Sequence, residues 1–230
     1  PAIRLACQTV AASDSVVRRL VIDEEDVALT SVLIRGASAD DVGREKRVVI
    51  MFADIQGFTS FTESLLPYDV VHVLNRYFYR MDRIIRDHGG TISNTMGDGL
   101  LALFETDRAE RGALQAVRAA LGMLESVDRM RPELQGLYGR AFDIRIGLHA
   151  GQVVAGALGT LENRRTTVIG DAVNLAARIE QANKQTGTRL LVSDDLRRML
   201  GDGVRVGRTF QVELAGKSGR YSLYELTVAS

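Results

Sequence analysis

Six apolar residues in a row, Val48-Val49-Ile50-Met51-Phe52-Ala53, are followed at once by Asp54. A strand with one wet face alternates apolar and polar side chains. An unbroken apolar run of this length suits a strand buried on both faces. Such a strand needs a sheet with other layers packed on either side, and its charge has to fall at the strand's end. In Asp54-Ile55-Gln56-Gly57-Phe58-Thr59 the glycine then breaks the strand and a helix can begin.

The flanking segments extend this pattern. Residues 68–88 carry Val70, Val71, Leu74, Tyr77, Phe78, Met81, Ile84 and Ile85 at helical spacing, and Gly89-Gly90 stops the helix. Residues 91–104 read as two strands joined at Met96-Gly97-Asp98-Gly99. A second amphipathic helix spans 107–130, and Pro132, Gly136 and Gly139 mark 131–141 as a loop. Residues 143–149 and 152–158 read as paired strands around Gly151, and 160–166 as a polar excursion. A helix at 171–183, strands at 189–192, 204–213 and 221–228, and a short helix near 194–200 complete the chain. The order β-α-β-β-α-β, followed by further α and β elements, predicts an α+β fold. Its core is a ferredoxin-like split βαβ unit, a sheet flanked by helices. Residues 1–35 read as an N-terminal extension, 36–46 as a small, charged, aperiodic linker, and 47–230 as the main domain.

Composition removes several classes. The 29 Lys plus Arg balance 29 Asp plus Glu, so a strongly basic nucleic-acid binder is excluded, although a local basic patch is not. No apolar run approaches the roughly 20 residues of a membrane-spanning helix. Cys7 is the only cysteine, which excludes an intrachain disulfide and a cysteine-based zinc site. The chain opens on Pro1 without Met or a signal-peptide pattern, and reads as a piece of something longer.

Two carboxylates stand out. Asp54 closes the buried strand and Asp98 lies in the hairpin turn; a split βαβ arrangement makes these elements neighbours. Converging carboxylates without clustered His or Cys are hard oxygen ligands, suited to Mg²⁺ or Mn²⁺ held jointly with phosphates. Singly, each has an ordinary account: Asp98 as a turn residue, Asp54 as a helix cap. What favours a nucleotide site is the context. The backbone N–H groups of Gly57, Phe58 and Thr59 fall at a helix start, where free donors and the dipole attract an anion. In Thr167-Val168-Ile169-Gly170-Asp171-Ala172-Val173-Asn174-Leu175-Ala176-Ala177-Arg178, Asn174 and Arg178 share one helix face, with Val173, Ala176, Ala177 and Ile179 on the other. That stripe is either a solvated face or an amide and a guanidinium aimed at one ligand.

Together, Phe52–Thr59, Met96-Gly97-Asp98-Gly99 and Val168–Arg178, with Gly147-Leu148-His149-Ala150-Gly151, resemble the class III nucleotidyl cyclase catalytic domain over residues 45–228. The resemblance implies a head-to-tail homodimer with two sites at its interface. In each site Asp54, Ile55 and Asp98 of one subunit hold two Mg²⁺ or Mn²⁺ ions. The backbone at Gly57, Phe58 and Thr59 takes the terminal phosphates, and Asn174 and Arg178 of the other subunit act at the ribose and α-phosphate. It implies conversion of ATP to cyclic AMP and pyrophosphate, in a cytoplasmic catalytic region served by an upstream regulatory domain, with no nucleic-acid partner.

Three positions depart from the family pattern. Asn94 stands where adenylyl members often carry a base-selecting Lys. Its partner Thr167 suits adenylyl members, and neither the Glu nor the Cys typical of guanylyl members appears. Ala215 replaces a phosphate-gripping basic residue, with Lys217 two residues on as a substitute or a plain turn lysine. A guanylyl cyclase, or a degenerate cyclase-like module that binds nucleotide or dimerises without turnover, are therefore the alternatives. His72, His88 and His149 read as structural or exposed. Finally, Arg4-Leu5-Ala6-Cys7-Gln8-Thr9 resembles the last cluster-ligand segment of a plant-type 2Fe–2S ferredoxin whose other cysteines are absent; Cys7 is that remnant or a small buried hydrophobe.

Overall fold

The computed structural model describes residues 44–63, 65–105, 109–158, 165–201 and 204–227, all within the unit Gly43–Ser230. Cys7, the extension 1–35 and most of the linker lie outside the described residues. The elements are β1 (Arg44–Gln56), α1 (Phe58–Thr62), α2 (Pro67–Asp87), β2 (Thr91–Met96), β3 (Gly99–Phe104), α3 (Ala109–Tyr138), β4 (Asp143–Leu158), β5 (Arg165–Ile169), α4 (Asp171–Thr186), β6 (Leu190–Ser193), α5 (Asp194–Leu200), β7 (Val206–Glu213) and β8 (Arg220–Leu226). They form one sheet in the order β2-β3-β1-β4-β6-β8-β7, with β5 beside β4. The first four strands in that order are the expected split βαβ core. No helix of the described residues is long and apolar enough to cross a membrane.

β1 is central and covered on both sides, as its apolar run requires. Val49, Met51, Ala53 and Ile55 face one cluster with Tyr77, Met81 and Ile85 of α2 and Val117, Met123 and Val127 of α3. Val48 and Ile50 face the other, with Val153 of β4 and Ala172 and Ala176 of α4. Antiparallel pairing with β4 runs unbroken from Arg44↔Ala155 to Gln56↔Asp143, so the strand begins within the segment read as linker.

Two other expectations are corrected. The loop expected at 131–141 is helix as far as Tyr138, with Pro132 inside α3. Proline removes one helical hydrogen bond, but Met130 and Leu134 are buried on the core side. The Tyr138 ring also packs edge-on against Phe61, 6.3 Å between centroids. Packing carries the helix past the proline, and Gly139, at φ 65°, ends it. The strand pair expected around Gly151 is one strand, β4. Gly151 is small for contact, not for turning: a Cβ there would lie 2.4 Å from the Ala172 Cβ. Gly147 serves the same purpose further along α4, where a Cβ would lie 2.2 Å from the Glu180 nitrogen. These glycines let α4 sit directly on β4.

Gly147→Ala is therefore expected to destabilise the domain by about 2 kcal/mol or more, because backbone has to give way. Gly136→Ala, at an exposed site in α3 with nothing within 4 Å of the new methyl, is expected to stabilise by about 0.5–1 kcal/mol. Urea denaturation midpoints of the two variants check the pair.

Candidate active site

Alternation along β1 sends Ala53 and Ile55 into the α2–α3 core and Asp54 to the face covered by α4. Across the ladder Asp54 stands opposite Arg145 of β4. On its other side the β2–β3 turn delivers Asp98. The positive φ of that turn falls on Gly97, at 62°, so Asp98 itself needs no left-handed backbone. Gly99 leaves room for the approach, since a Cβ there would lie 3.2 Å from Asp54 Oδ1. The two carboxyl groups come within hydrogen-bonding reach of each other.

Their electrostatics follow from that proximity. Burial, and then the charge of Asp98, push the Asp54 carboxyl above its ordinary value, while the Ile55 N–H and Arg145 act against the rise. The charge of Asp98 makes it costlier to ionise Asp54, and a cation between the two would relieve that cost. Hard oxygen donors so placed fit a divalent ion. Among the described residues no group of three or more His, Cys, Asp or Glu assembles, so phosphate oxygens or water would have to complete the shell. The Ile55 side chain is buried in the core, leaving only its backbone to face a ligand.

Two residues of this region were not singled out from the sequence. Arg145 forms no ion pair within 4.0 Å among the described residues, and its guanidinium acts on both Asp54 and Glu180. Glu180, on α4 above Gly147, is 8% exposed, and burial, helped by Asp54 and Asp98, pushes its carboxyl up to about 7. A signal for Glu180 was present: it lies four residues after Ala176, on the stripe that the helix buries. Arg145 had none, because its position opposite Asp54 depends on strand register.

Gly57 is left-handed at φ 72° and leads into the five-residue α1. Phe61 N–H donates to the Gly57 carbonyl at 2.9 Å, and the buried Phe61 ring meets Phe142 edge-on at 5.2 Å, which pins the turn. The first N–H groups of α1 have no partner within the helix.

The remaining candidates lie elsewhere. α4 buries Ala172, Ala176, Ile179 and Glu180. Asn174, Arg178 and Gln181 line its outward face, where Arg178 donates to Gln181 Oε1 at 2.7 Å. One chain thus turns Asn174 and Arg178 away from its own Asp54 and Asp98. Asn94 is exposed on β2, just after a register shift, and Thr167 is half-buried on β5; the two strands touch. The Lys217 ammonium is ion-paired with Asp171 at the start of α4, and the lysine is largely covered. Within the chain it holds a turn to α4. His149 is buried against Ser193 Oγ at 2.8 Å, His88 contacts the Ile84 carbonyl at 2.8 Å, and His72 is exposed, in keeping with structural roles.

Comparison with known proteins gives concordant matches. Residues 41–227 match the family model described as adenylate and guanylate cyclase catalytic domain. The chain is 33% identical to a terminal-differentiation-specific adenylate cyclase of Dictyostelium discoideum, over 79% of this chain and 9% of that protein. It is also 33% identical to an adenylate cyclase of Anabaena cylindrica, over 79% of this chain and 37% of that one. It therefore spans only a minor share of these relatives' length. Among solved structures, the guanylyl cyclase Cya2 superposes with a TM-score of 0.73 at 33% identity, covering 80% of this chain and 93% of that one. The adenylyl cyclase CyaB from P. aeruginosa superposes with a TM-score of 0.76 at 26% identity, covering 82% and 97%.

The buried acid of α4 has a measurable consequence. A carboxyl raised to about 7 in the folded chain binds its proton more tightly there than when unfolded, so its contribution to stability falls as pH rises from 4.5 to about 7. The full loss is at most about 3 kcal/mol. Glu180→Gln is expected to flatten stability over that window in metal-free protein, read from denaturation midpoints across pH.

Proposed function

The chain belongs to the adenylate and guanylate cyclase catalytic domain family, and on that footing we propose that it converts ATP to cyclic AMP and pyrophosphate. The ribose 3′-oxygen forms a bond to the α-phosphorus, the bond from that phosphorus to the β-phosphate oxygen breaks, and the 3′-hydroxyl proton is released. The observation that carries this reading is the meeting of Asp54 and Asp98 at the end of β1, next to the Gly57 turn.

In this mechanism Asp54, Asp98 and the Ile55 backbone would hold Mg²⁺ or Mn²⁺, two ions per site. When bound, such ions polarise the attacking and leaving oxygens. The N–H groups at Gly57, Phe58 and Thr59 cradle the terminal phosphates. Arg145, which forms no ion pair among the described residues and lies beside the acidic pair, adds a counter-charge for the polyphosphate. Asn174 and Arg178 face away from the carboxylates of their own chain, which supports their acting on the partner's site in a homodimer. There Asn174 orients the ribose, and Arg178 stabilises charge growing on the phosphoryl group. Asn94 and Thr167, on touching strands, read the base. Lys217 reaches phosphate only by leaving Asp171. This activity places the domain in the cytoplasm, where ATP is available.

GTP is the second reading. The amide of Asn94 serves the edge of either purine, and a guanylyl cyclase stands among the similar structures. Parallel assays with ATP and GTP decide between them, by chromatographic detection of each cyclic product.

Asp54→Asn is expected to lower cyclic AMP formation by about a hundredfold or more, the scale of losing one preorganised electrostatic group. Turnover at the unmutated rate would refute the carboxylate assignment. Arg178→Ala is expected to be comparably impaired. Mixing the two variants should restore substantial activity. Random pairing makes about half of the dimers heterodimers, each with one intact and one doubly altered site. Absence of recovery, with heterodimers demonstrated by native mass spectrometry, would mean that each site is built within one chain.

A further inference from the structure

On the side of the sheet away from Asp54, α2 and α3 enclose an open groove of about 560 Å³. Arg76, Arg80 and Arg83 come from α2 and Arg129 from α3, with Tyr79 beside them. The chain as a whole is neutral, so this concentration of guanidinium groups is local. Their pairing is uneven. Arg76 is committed to Glu133 through two bonds of 2.5 and 2.6 Å. Among the described residues Arg129 pairs with the exposed Glu125 at 3.6 Å, a contact of little strength. Arg83 forms no hydrogen bond or ion pair among the described residues; Arg80 forms none either, but its charge acts on Glu133 and helps hold that carboxyl below its ordinary value. Asp87, one turn beyond Arg83, adds one carboxylate to the lining.

We propose that this groove is a second anion site, separate from the catalytic carboxylates, that takes a small phosphate-bearing molecule. Its volume, open to solvent on one side, is enough for a small ligand. Guanidinium forks match phosphate oxygens two at a time. Tyr79, 66% exposed and next to Arg80, offers a ring face to a base or other flat group. A bound anion would join α2 to α3 alongside the Arg76–Glu133 link. This site does not depend on the cyclase reading.

The test is a titration of the intact chain with inorganic pyrophosphate, without divalent metal and at fixed ionic strength, followed through the arginine Nε–Hε NMR signals. Saturable shifts at Arg80, Arg83 and Arg129 are expected. The double variant Arg80→Gln/Arg83→Gln should bind about tenfold more weakly at this site while keeping the unmutated cyclase turnover. Three results would overturn the proposal. Shifts that grow linearly, or that chloride reproduces, mean screening only. Unchanged affinity in the double variant places binding elsewhere. Saturable shifts with an acidic peptide but none with pyrophosphate assign the groove to a protein segment.

Discussion

A strand that is apolar on both faces has to lie inside the sheet, and a carboxylate at its end then has to be managed where solvent is scarce. β1 meets the first demand through unbroken pairing with β4 and its seat between two apolar clusters. It meets the second by bringing charges together. Asp98 arrives from one neighbouring strand pair and Arg145 from the other, while Glu180 descends from the helix above. A low-dielectric setting strengthens each of these interactions. It also raises the cost of ionising Asp54 beside Asp98, a cost that a bound cation would relieve.

The approach of α4 depends on glycine rather than on turn-making. Gly147 and Gly151 both lie in extended strand, and their missing side chains let α4 sit directly on β4. Because the helix lies so close, its inner face contributes Glu180 to the acidic region while its outer face presents Asn174 and Arg178. One helix thereby serves two surfaces. The inner one tunes the charges of its own chain, and the outer one faces whatever packs against it. The proposed two-fold homodimer would use both surfaces at once.

Much of this was legible in the residues alone. The long helix over 68–88, the hairpin at Met96–Gly99 and the short helix at 194–200 were readable because periodicity and turn chemistry are local. The convergence of Asp54 with Asp98 was legible because the split βαβ order leaves few arrangements for those strands. Pro132 misled because helix-breaking is a local tendency, whereas the burial of Leu134 and the Tyr138–Phe61 contact are tertiary. Gly151 misled because a glycine needed for turning and one needed for close packing look identical in sequence.

What the chain's order of residues determined by itself was the set of elements and the identity of the groups at their ends: a doubly buried strand closing on Asp54, a glycine turn at Gly57, a hairpin carrying Asp98, and a helix stripe of Asn174 and Arg178. Tertiary structure alone decided which groups meet. Arg145 faces Asp54 through strand register, and a slip of one residue would turn it to the opposite face. Glu180 gains its raised proton affinity only from burial, and Lys217 is drawn to Asp171 by the path of a turn. Register, burial and turn path depend on contacts between residues far apart in the chain, and no local pattern encodes them.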